Sequence, residues 1–189
     1  MKNKLELLSP VGSFEALKAA VFNGADAVYL GARAFGARAN AGFSNDELKQ
    51  AVEFAHVFGV RIYVTLNILI KENEIDDVLE ILKFLDSIKV DALIVQDLGL
   101  VKIIKHNFPN FQIHASTQMS IHSLNGVLSA KKLGLDRVVL ARECSLNDIK
   151  NACESDVDIE VFIHGAQCVS VSGQCLISSL TGGRSGKSI

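Results

Sequence analysis

Short runs of β-branched and other apolar residues alternate with longer amphipathic stretches along most of the chain. The short runs are mostly continuous, as expected for parallel strands that are covered on both faces. They predict strands at Leu5–Leu8, Ala27–Leu30, Arg61–Leu66, Ala92–Gln96, Gln112–Ala115, Arg137–Ala141 and Ile159–Ile163. Strands that alternate with helices in this way indicate a parallel sheet with right-handed crossovers.

The stretches between the strands place apolar residues three and four positions apart, which is typical of amphipathic helices. The predicted helices include Phe14–Phe22, Asn45–Phe58, Ile75–Ile88 and Leu146–Cys153. Residues suited to N-caps precede three of them, namely Ser13, Ser44 or Asn45, and Ser145. Glycines suited to helix C-termini stand just before the next strand at Gly24, Gly59 and Gly134.

Two architectures fit this order, a doubly wound open sheet and a (β/α)8 barrel. The spacing is regular, and the first turn, Ser9–Ser13, lacks the glycine fingerprint of dinucleotide-binding folds. We therefore predict an α/β fold, an incomplete (β/α)8 TIM-type barrel of seven parallel strands with crossover helices. Residues 1–165 form the barrel core, and residues 166–189 form a Cys/Gly/Ser-rich loop and tail of the same domain.

Composition narrows the class of protein. The 189 residues are 49% hydrophobic and carry a formal net charge of −2, which gives no footprint of a dedicated nucleic-acid binder. An enzyme that handles RNA through one local basic patch still fits. No apolar run has the length of a signal peptide or a bilayer span. Four cysteines without an export signal favour reduced thiols in the cytoplasm.

Polar residues follow the predicted strands, at the end of a barrel where active sites lie. His114, Arg142, Glu143 and His164 come from three successive strands and are predicted to converge as catalytic groups. Polar side chains that could bind substrate are predicted at Arg33, Arg38, Asn67 and Gln118. No lysine stands at a strand end, which argues against Schiff-base chemistry.

Two of the four cysteines, Cys168 and Cys175, lie in a Gly/Ser-rich loop after the seventh strand. Their spacing is too long for the usual zinc knuckle. Soft thiolates on such a loop suit zinc or an iron–sulfur cluster, although two ligands complete neither site. A cysteine nucleophile with His164 or His114 as its base is the competing chemistry. Cys144 and Cys153 are expected to be packing residues.

The segment Glu160-Val-Phe-Ile-His-Gly-Ala-Gln-Cys168-Val-Ser-Val-Ser-Gly-Gln-Cys175-Leu-Ile-Ser-Ser179 resembles the signature of peptidase family U-32, the collagenase-like peptidases. Its Glu, Phe, Gly, Ala, both Cys and Ser fall at the family's spacing, and Gln167 departs from the usual aliphatic residue. The stretches Leu8–Gly12, Gly31–Asn40 and His114–Gln118 also resemble the family's loops.

The resemblance implies a barrel-like N-terminal domain and two kinds of activity. Some members are called peptidases. Others act in hydroxylating a base of transfer or ribosomal RNA, or a quinone precursor, and hold a 4Fe-4S cluster on four cysteines. Cys168 and Cys175 match the first pair of those cysteines, and Lys187-Ser188-Ile189 departs from the pattern that leads to the second.

The leading hypothesis is the barrel domain of an iron–sulfur enzyme that hydroxylates an RNA base or a related small molecule. Cys168 and Cys175 would be the cluster ligands that this chain supplies. The alternatives are a peptidase that uses a thiol or a divalent metal on a peptide, and a fragment without activity or cofactor. No membrane partner is expected, and open sheet edges predict self-association.

Overall fold

The computed structural model describes residues 5–33, 35, 42–165 and 168–174. In this part of the chain, seven strands form one parallel sheet in chain order. The strands are β1 Leu8–Pro10, β2 Ala27–Gly31, β3 Arg61–Leu66, β4 Ala92–Val95, β5 Gln112–Ala115, β6 Arg137–Val139 and β7 Asp158–Glu160. The prediction of seven parallel strands with crossover helices is confirmed.

Six α-helices connect these strands. They are α1 Phe14–Phe22, α2 Asn45–Val57, α3 Ile75–Ser87, α4 Leu98–Asn107, α5 Leu124–Lys132 and α6 Leu146–Ala152, with 3-10 turns at Glu72–Glu74 and Thr117–Met119. The N-caps predicted from sequence are confirmed, because the hydroxyls of Ser13, Ser44 and Ser145 each accept a hydrogen bond from a backbone N–H in the first turn.

Alternate residues of a central strand face two different apolar layers. On β3, Ile62, Val64 and Leu66 pack in the large core between the sheet and the helices, whereas Tyr63 faces the inner side. Both sets are buried, which explains why the strand reads as a continuous apolar run. The inner layer is small, with Ala27, Tyr63, Ala92 and Ile94 at its centre.

The predicted bounds are wrong by two or three residues at β1, at β7 and at β6, which ends at Val139 and not at Ala141. Pairing of β1 with β2 begins at Leu8 instead of Leu5, although the backbone of Leu7 already bonds to Asp26 and Ala27. After β7, the residues Val161, Phe162 and Ile163 are exposed and make no ladder. The outer edges of β1 and β7 have no strand partner among the described residues, so self-association stays a prediction.

An aspartate directly precedes each even-numbered strand. It forms hydrogen bonds with the backbone at or next to the start of the odd-numbered strand before it. Asp91 Oδ2 accepts from the N–H of Ile62 at 2.8 Å, and the N–H of Asp91 donates to the carbonyl of Ile62 at 3.0 Å. Asp26 makes the same pair of contacts with Leu7, and Asp136 makes it with Ile113. Strands β1 to β6 are therefore tied in pairs at their amino ends.

Two residues before each aspartate, the chain takes a positive φ to leave a helix. Gly24 and Gly134 fill this place before Asp26 and Asp136, each with a φ of 88°. Lys89 fills it before Asp91, with a φ of 62°. A side chain strains this backbone conformation, and glycine does not. Lys89 is thus a point of local strain in a repeated turn.

The carboxylate of Glu6 lies on the inner side of the sheet, where it contacts both β3 and β6. Glu6 accepts hydrogen bonds from the hydroxyl of Tyr63 at 2.9 Å and from Arg137 Nη1 at 2.5 Å, and it pairs with Arg61. Arg61 and Tyr63 belong to β3 and Arg137 to β6, so the sheet must curl for one side chain to meet both strands. Burial raises the pKa of Glu6, but the hydrogen bonds from Arg137 and Tyr63 outweigh it and hold the pKa below its ordinary value.

We expect Lys89→Gly to stabilise the fold by about 1 kcal/mol relative to Lys89→Ala, because only glycine relieves the positive φ. Both variants remove the exposed ion pair with Asp86, which makes Lys89→Ala the matched control. Urea unfolding at neutral pH measures the difference. Equal midpoints for the two variants would contradict the strain.

We expect Glu6→Gln to cost about 3 kcal/mol at neutral pH, because it leaves Arg137 without its closest carboxylate in a site where both side chains are mostly buried. The stabilisation by Glu6 is complete above the ordinary glutamate pKa and is lost as pH falls through the lowered pKa of the folded state. The difference in the free energy of unfolding between Glu6→Gln and wild type should therefore decrease at acid pH.

The control for this measurement is Asp86→Asn, which breaks an exposed ion pair with Lys89 and should cost no more than about 0.5 kcal/mol. Urea unfolding over a series of pH values compares the three proteins. A cost for Glu6→Gln that matches the control, or that grows as pH falls, would show that the inner ion pair does not hold the sheet.

Candidate functional site

His114 lies on the inner wall of the barrel, in β5. It is 1% exposed, and its ring meets the ring of Tyr63 edge-on at 4.7 Å between centroids. Among the residues that the structure describes, none is a hydrogen-bond partner of its Nδ1. Burial, reinforced by the nearby Arg137, lowers the pKa of His114 to about 3. The ring is therefore neutral at physiological pH and can accept a hydrogen bond.

Arg142 and Glu143 follow β6, and both contact Ser172 in the loop that carries Cys168. The backbone N–H and Nε of Arg142 donate to Ser172 Oγ at 3.1 and 3.2 Å. Glu143 Oε1 accepts from the N–H of Ser172 at 2.8 Å and from its hydroxyl at 3.3 Å. Burial raises the pKa of Glu143, but these hydrogen bonds outweigh it and the net shift is downward. The carboxylate is ionised when it holds the loop.

The loop after β5 forms the other side of this contact. The hydroxyl of Ser120 donates to the carbonyl of Ser172 at 2.5 Å. Gly173 packs against the same loop, because a Cβ at this position would lie 2.4 Å from the carbonyl oxygen of Gln118. The segment 168–174 is therefore seated on the carboxyl ends of β5 and β6.

Arg33 follows β2 and is tied to the start of α2. Its Nε donates to the carbonyl of Gly42 at 3.2 Å, and its Nη2 pairs with Glu47 at 3.3 Å. Glu47 also closes the capping box of α2 with Ser44. The guanidinium remains largely exposed, so it can still meet an anion. Arg38, the other arginine predicted to bind substrate, lies outside the described residues.

Gln118 and Asn67 lie after β5 and β3. Asn67 is half-buried directly after its strand. Gln118 belongs to the 3-10 turn, and its Oε1 is buried without a hydrogen-bond partner in the described part of the chain. It lines a cleft of about 420 Å³ between α4 and α5, together with Gln96, Ser120, His122 and apolar side chains that include Leu98. The cleft opens beside the seat of the cysteine loop.

The remaining predicted groups are less closely joined. Cys168 is an exposed free thiol, and Cys175 lies outside the described residues. His164 is exposed after β7, and no hydrogen bond in the described part of the chain joins it to His114, Arg142 or Glu143. The structure thus brings Arg142 and Glu143 together at the cysteine loop, and it places His114 in the barrel interior against Tyr63.

Sequence reasoning missed Ser172, Ser120 and Gly173, which together seat the cysteine loop. A serine and glycine in a loop between two cysteines is too common a pattern to single out. It also missed the Glu6–Arg137 pair, whose members are separated by 131 residues. Its one signal was a carboxylate in an otherwise apolar run at Leu5–Leu8.

Among residues 5–33, 35, 42–165 and 168–174, no three His, Cys, Asp or Glu side chains are grouped closely enough to hold a metal ion. The helices of the same ranges include none with the length and apolar character required to cross a bilayer.

Two curated relatives resemble nearly the whole chain. It is 43% identical over 178 residues to "tRNA hydroxylation protein P1" of Bacillus subtilis (strain 168), covering 93% of the chain and 42% of that protein. It is 41% identical over 184 residues to "23S rRNA 5-hydroxycytidine C2501 synthase" of Escherichia coli (strain K12), covering 97% of the chain and 28% of that protein. The chain thus spans less than half the length of either relative.

The fold resembles a solved structure, "The Structure of the U32 Peptidase Mk0906", with a TM-score of 0.72 over 85% of this chain and 69% of that one. At 14% identity, this likeness shows the fold alone. The sequence profile of Peptidase family U32 matches residues 12–188. The match covers almost the whole chain, and with the relatives above it shows that the chain belongs to Peptidase family U32.

Proposed function

We propose that this chain is the barrel domain of an enzyme that hydroxylates a base of transfer or ribosomal RNA. The observation that carries the proposal is the agreement of two relatives, each more than 40% identical over more than nine-tenths of the chain and each named for RNA hydroxylation or a hydroxylated nucleoside. An RNA substrate would place this activity in the cytoplasm. The chain covers only part of either relative, so the whole activity belongs to the complete enzyme.

Cys168 and Cys175 are proposed as two ligands of a 4Fe-4S cluster. The donor chemistry fits, because Cys168 is a soft, exposed thiol on an irregular loop at the carboxyl end of the barrel. The other two ligands would come from outside the residues described. When bound, a cluster supplies electron-transfer chemistry that no protein side chain provides.

The carboxyl end of the barrel offers groups suited to an RNA segment. Arg33 presents an exposed guanidinium, and Arg38 would add a second cation to contact phosphate. The cleft beside Gln118 combines amide, hydroxyl and imidazole groups with apolar walls, as a pocket for an unstacked base requires. Asn67 lies at the same end of the barrel and would contact the substrate there. Arg142 and Glu143 keep the cysteine loop beside this cleft.

We expect a strain that lacks the gene to lose one hydroxylated nucleoside, recognised by a mass lower by one oxygen atom in digests of purified tRNA or rRNA. The full-length wild-type gene should restore it. Cys168→Ser should not, because the proposed cluster loses a ligand. Liquid chromatography with mass spectrometry of the two RNA fractions measures the outcome and identifies which RNA is modified.

Cys153→Ser is the matched control, because Cys153 is also an exposed free cysteine but caps the far end of α6. It should restore the nucleoside like wild type. Full restoration by Cys168→Ser would remove the cluster assignment. Unchanged nucleosides in the deletion strain, together with cleavage of peptides by the purified full-length protein, would favour the peptidase alternative.

His114 is proposed to act as a neutral hydrogen-bond acceptor, since burial holds its pKa at about 3, too low for a base at neutral pH. We expect its ring resonances in NMR spectra to stay constant between about pH 5 and pH 8, the range in which an ordinary histidine titrates. His114→Gln identifies the signal by its loss. A midpoint for His114 inside that range would contradict the neutral form.

A further inference from the structure

The segment 168–174 meets the barrel through a tight turn. The N–H of Gln174 donates to the carbonyl of Val171 at 3.0 Å, and Gly173 has a φ of 77°, as the third position of a type II turn requires. Ser172, at the second position, is 1% exposed, although Val171, Gly173 and Gln174 around it are exposed. One polar residue of an open loop is therefore inserted into the protein.

Each polar atom of Ser172 is satisfied by the barrel. Its Oγ accepts from the backbone N–H and Nε of Arg142 and donates to Glu143. Its N–H donates to Glu143, and its carbonyl accepts from the hydroxyl of Ser120. A buried residue whose side chain and backbone atoms find all their partners on two different loops is fixed in position.

The described loop has little else to hold it. In the part of the chain that the structure describes, the hydrogen bonds between the segment 168–174 and the barrel all go to Ser172, apart from one that joins Arg142 Nη2 to the carbonyl of Ser170 at 3.0 Å. Cys168 and Val169 are exposed. Loss of the Ser172 hydroxyl would remove three of these six hydrogen bonds, which would loosen the cysteine loop and leave the apolar cores unchanged.

We propose that Ser172 is a positioning residue for the cysteine loop, and that Arg142 and Glu143 act on the thiols through it. The turn lies between the two cysteines in sequence, and Gln174, its last residue, directly precedes Cys175. The Ser172 contact thereby sets where the loop presents its sulfur atoms. The importance of that placement for a cluster rests on the proposed function, whereas the contact itself does not.

The test compares Ser172→Ala with Ser170→Ala in protein that holds no iron. Ser170 lies in the same loop, and its backbone carbonyl, which the substitution keeps, is the atom that Arg142 Nη2 contacts. A nitroxide is attached to Cys168 after every other cysteine of the protein, Cys144, Cys153 and Cys175 included, is changed to Ser. We expect Ser172→Ala to increase the mobility of the label in electron paramagnetic resonance spectra, and Ser170→Ala to leave it as in the parent.

Hydrogen exchange of the Arg142 amide gives a second readout, because this N–H donates to Ser172 Oγ. We expect exchange about tenfold faster in Ser172→Ala, as loss of a single hydrogen bond to a buried group allows, and no change in Ser170→Ala. Urea unfolding should give nearly the same midpoint for both variants. Label mobility and amide exchange that stay equal in the two variants would overturn the proposal.

Iron retention separates this inference from the proposed function. After anaerobic reconstitution of the full-length protein, Ser172→Ala should lose iron to a chelator about fivefold faster than Ser170→Ala, the factor expected for one weakened hydrogen bond. If wild type takes up no cluster while Ser172→Ala still frees the label, the cluster assignment fails and the positioning role stands. If wild type holds a cluster and Ser172→Ala does not change the mobility of the label relative to the labelled parent, the positioning role fails and the cluster stands.

Discussion

The contact between Glu6 and Arg137 is the constraint on which the curvature of the sheet depends. Arg137 Nη1 donates to Glu6 at 2.5 Å and lies 3.5 Å from Glu160, and the inner layer above it is small. Burial raises the pKa of Glu160, and Arg137 offsets this only in part. A mostly buried guanidinium needs at least one ionised partner, and Glu6, with its lowered pKa, is that partner. The Glu6 side chain thus belongs to the interior of the barrel, whereas its neighbours Leu5 and Leu7 are exposed.

The same interior decides what His114 can do. Its neighbours are the Tyr63 ring, which Glu6 holds by a hydrogen bond, and the cationic Arg137. Burial together with that positive charge excludes a second cation, so the ring is neutral. At the carboxyl end, by contrast, Arg142 and Glu143 face the loop that carries Cys168. The barrel therefore separates a neutral acceptor in its interior from the charged groups at its mouth.

Most of the fold could be predicted from the sequence, because apolar periodicity and serine N-caps depend on residues that are close together in the chain. Helix α1 and strands β3 and β5 have the predicted bounds. The errors at the ends of β1, β6 and β7 concern where pairing starts or stops, which depends on hydrogen bonds to a strand that is distant in sequence. The role of Ser172 could not be predicted, because it depends on contacts with Arg142, 30 residues away. His114 was predicted as a site residue, but its neutral state follows only from its burial beside Arg137.

The aspartates before the even-numbered strands have a consequence for the order in which the chain folds during its synthesis. Each aspartate bonds to a residue that precedes it by 19, 29 or 23 positions. Because the ribosome synthesises the chain from its amino end, this partner has already been made when the aspartate is added. Glu6, in contrast, can contact Arg137 only after 131 more residues have been synthesised. Strand pairs can thus assemble in order during synthesis, while the interior closes late because its main contact spans most of the chain.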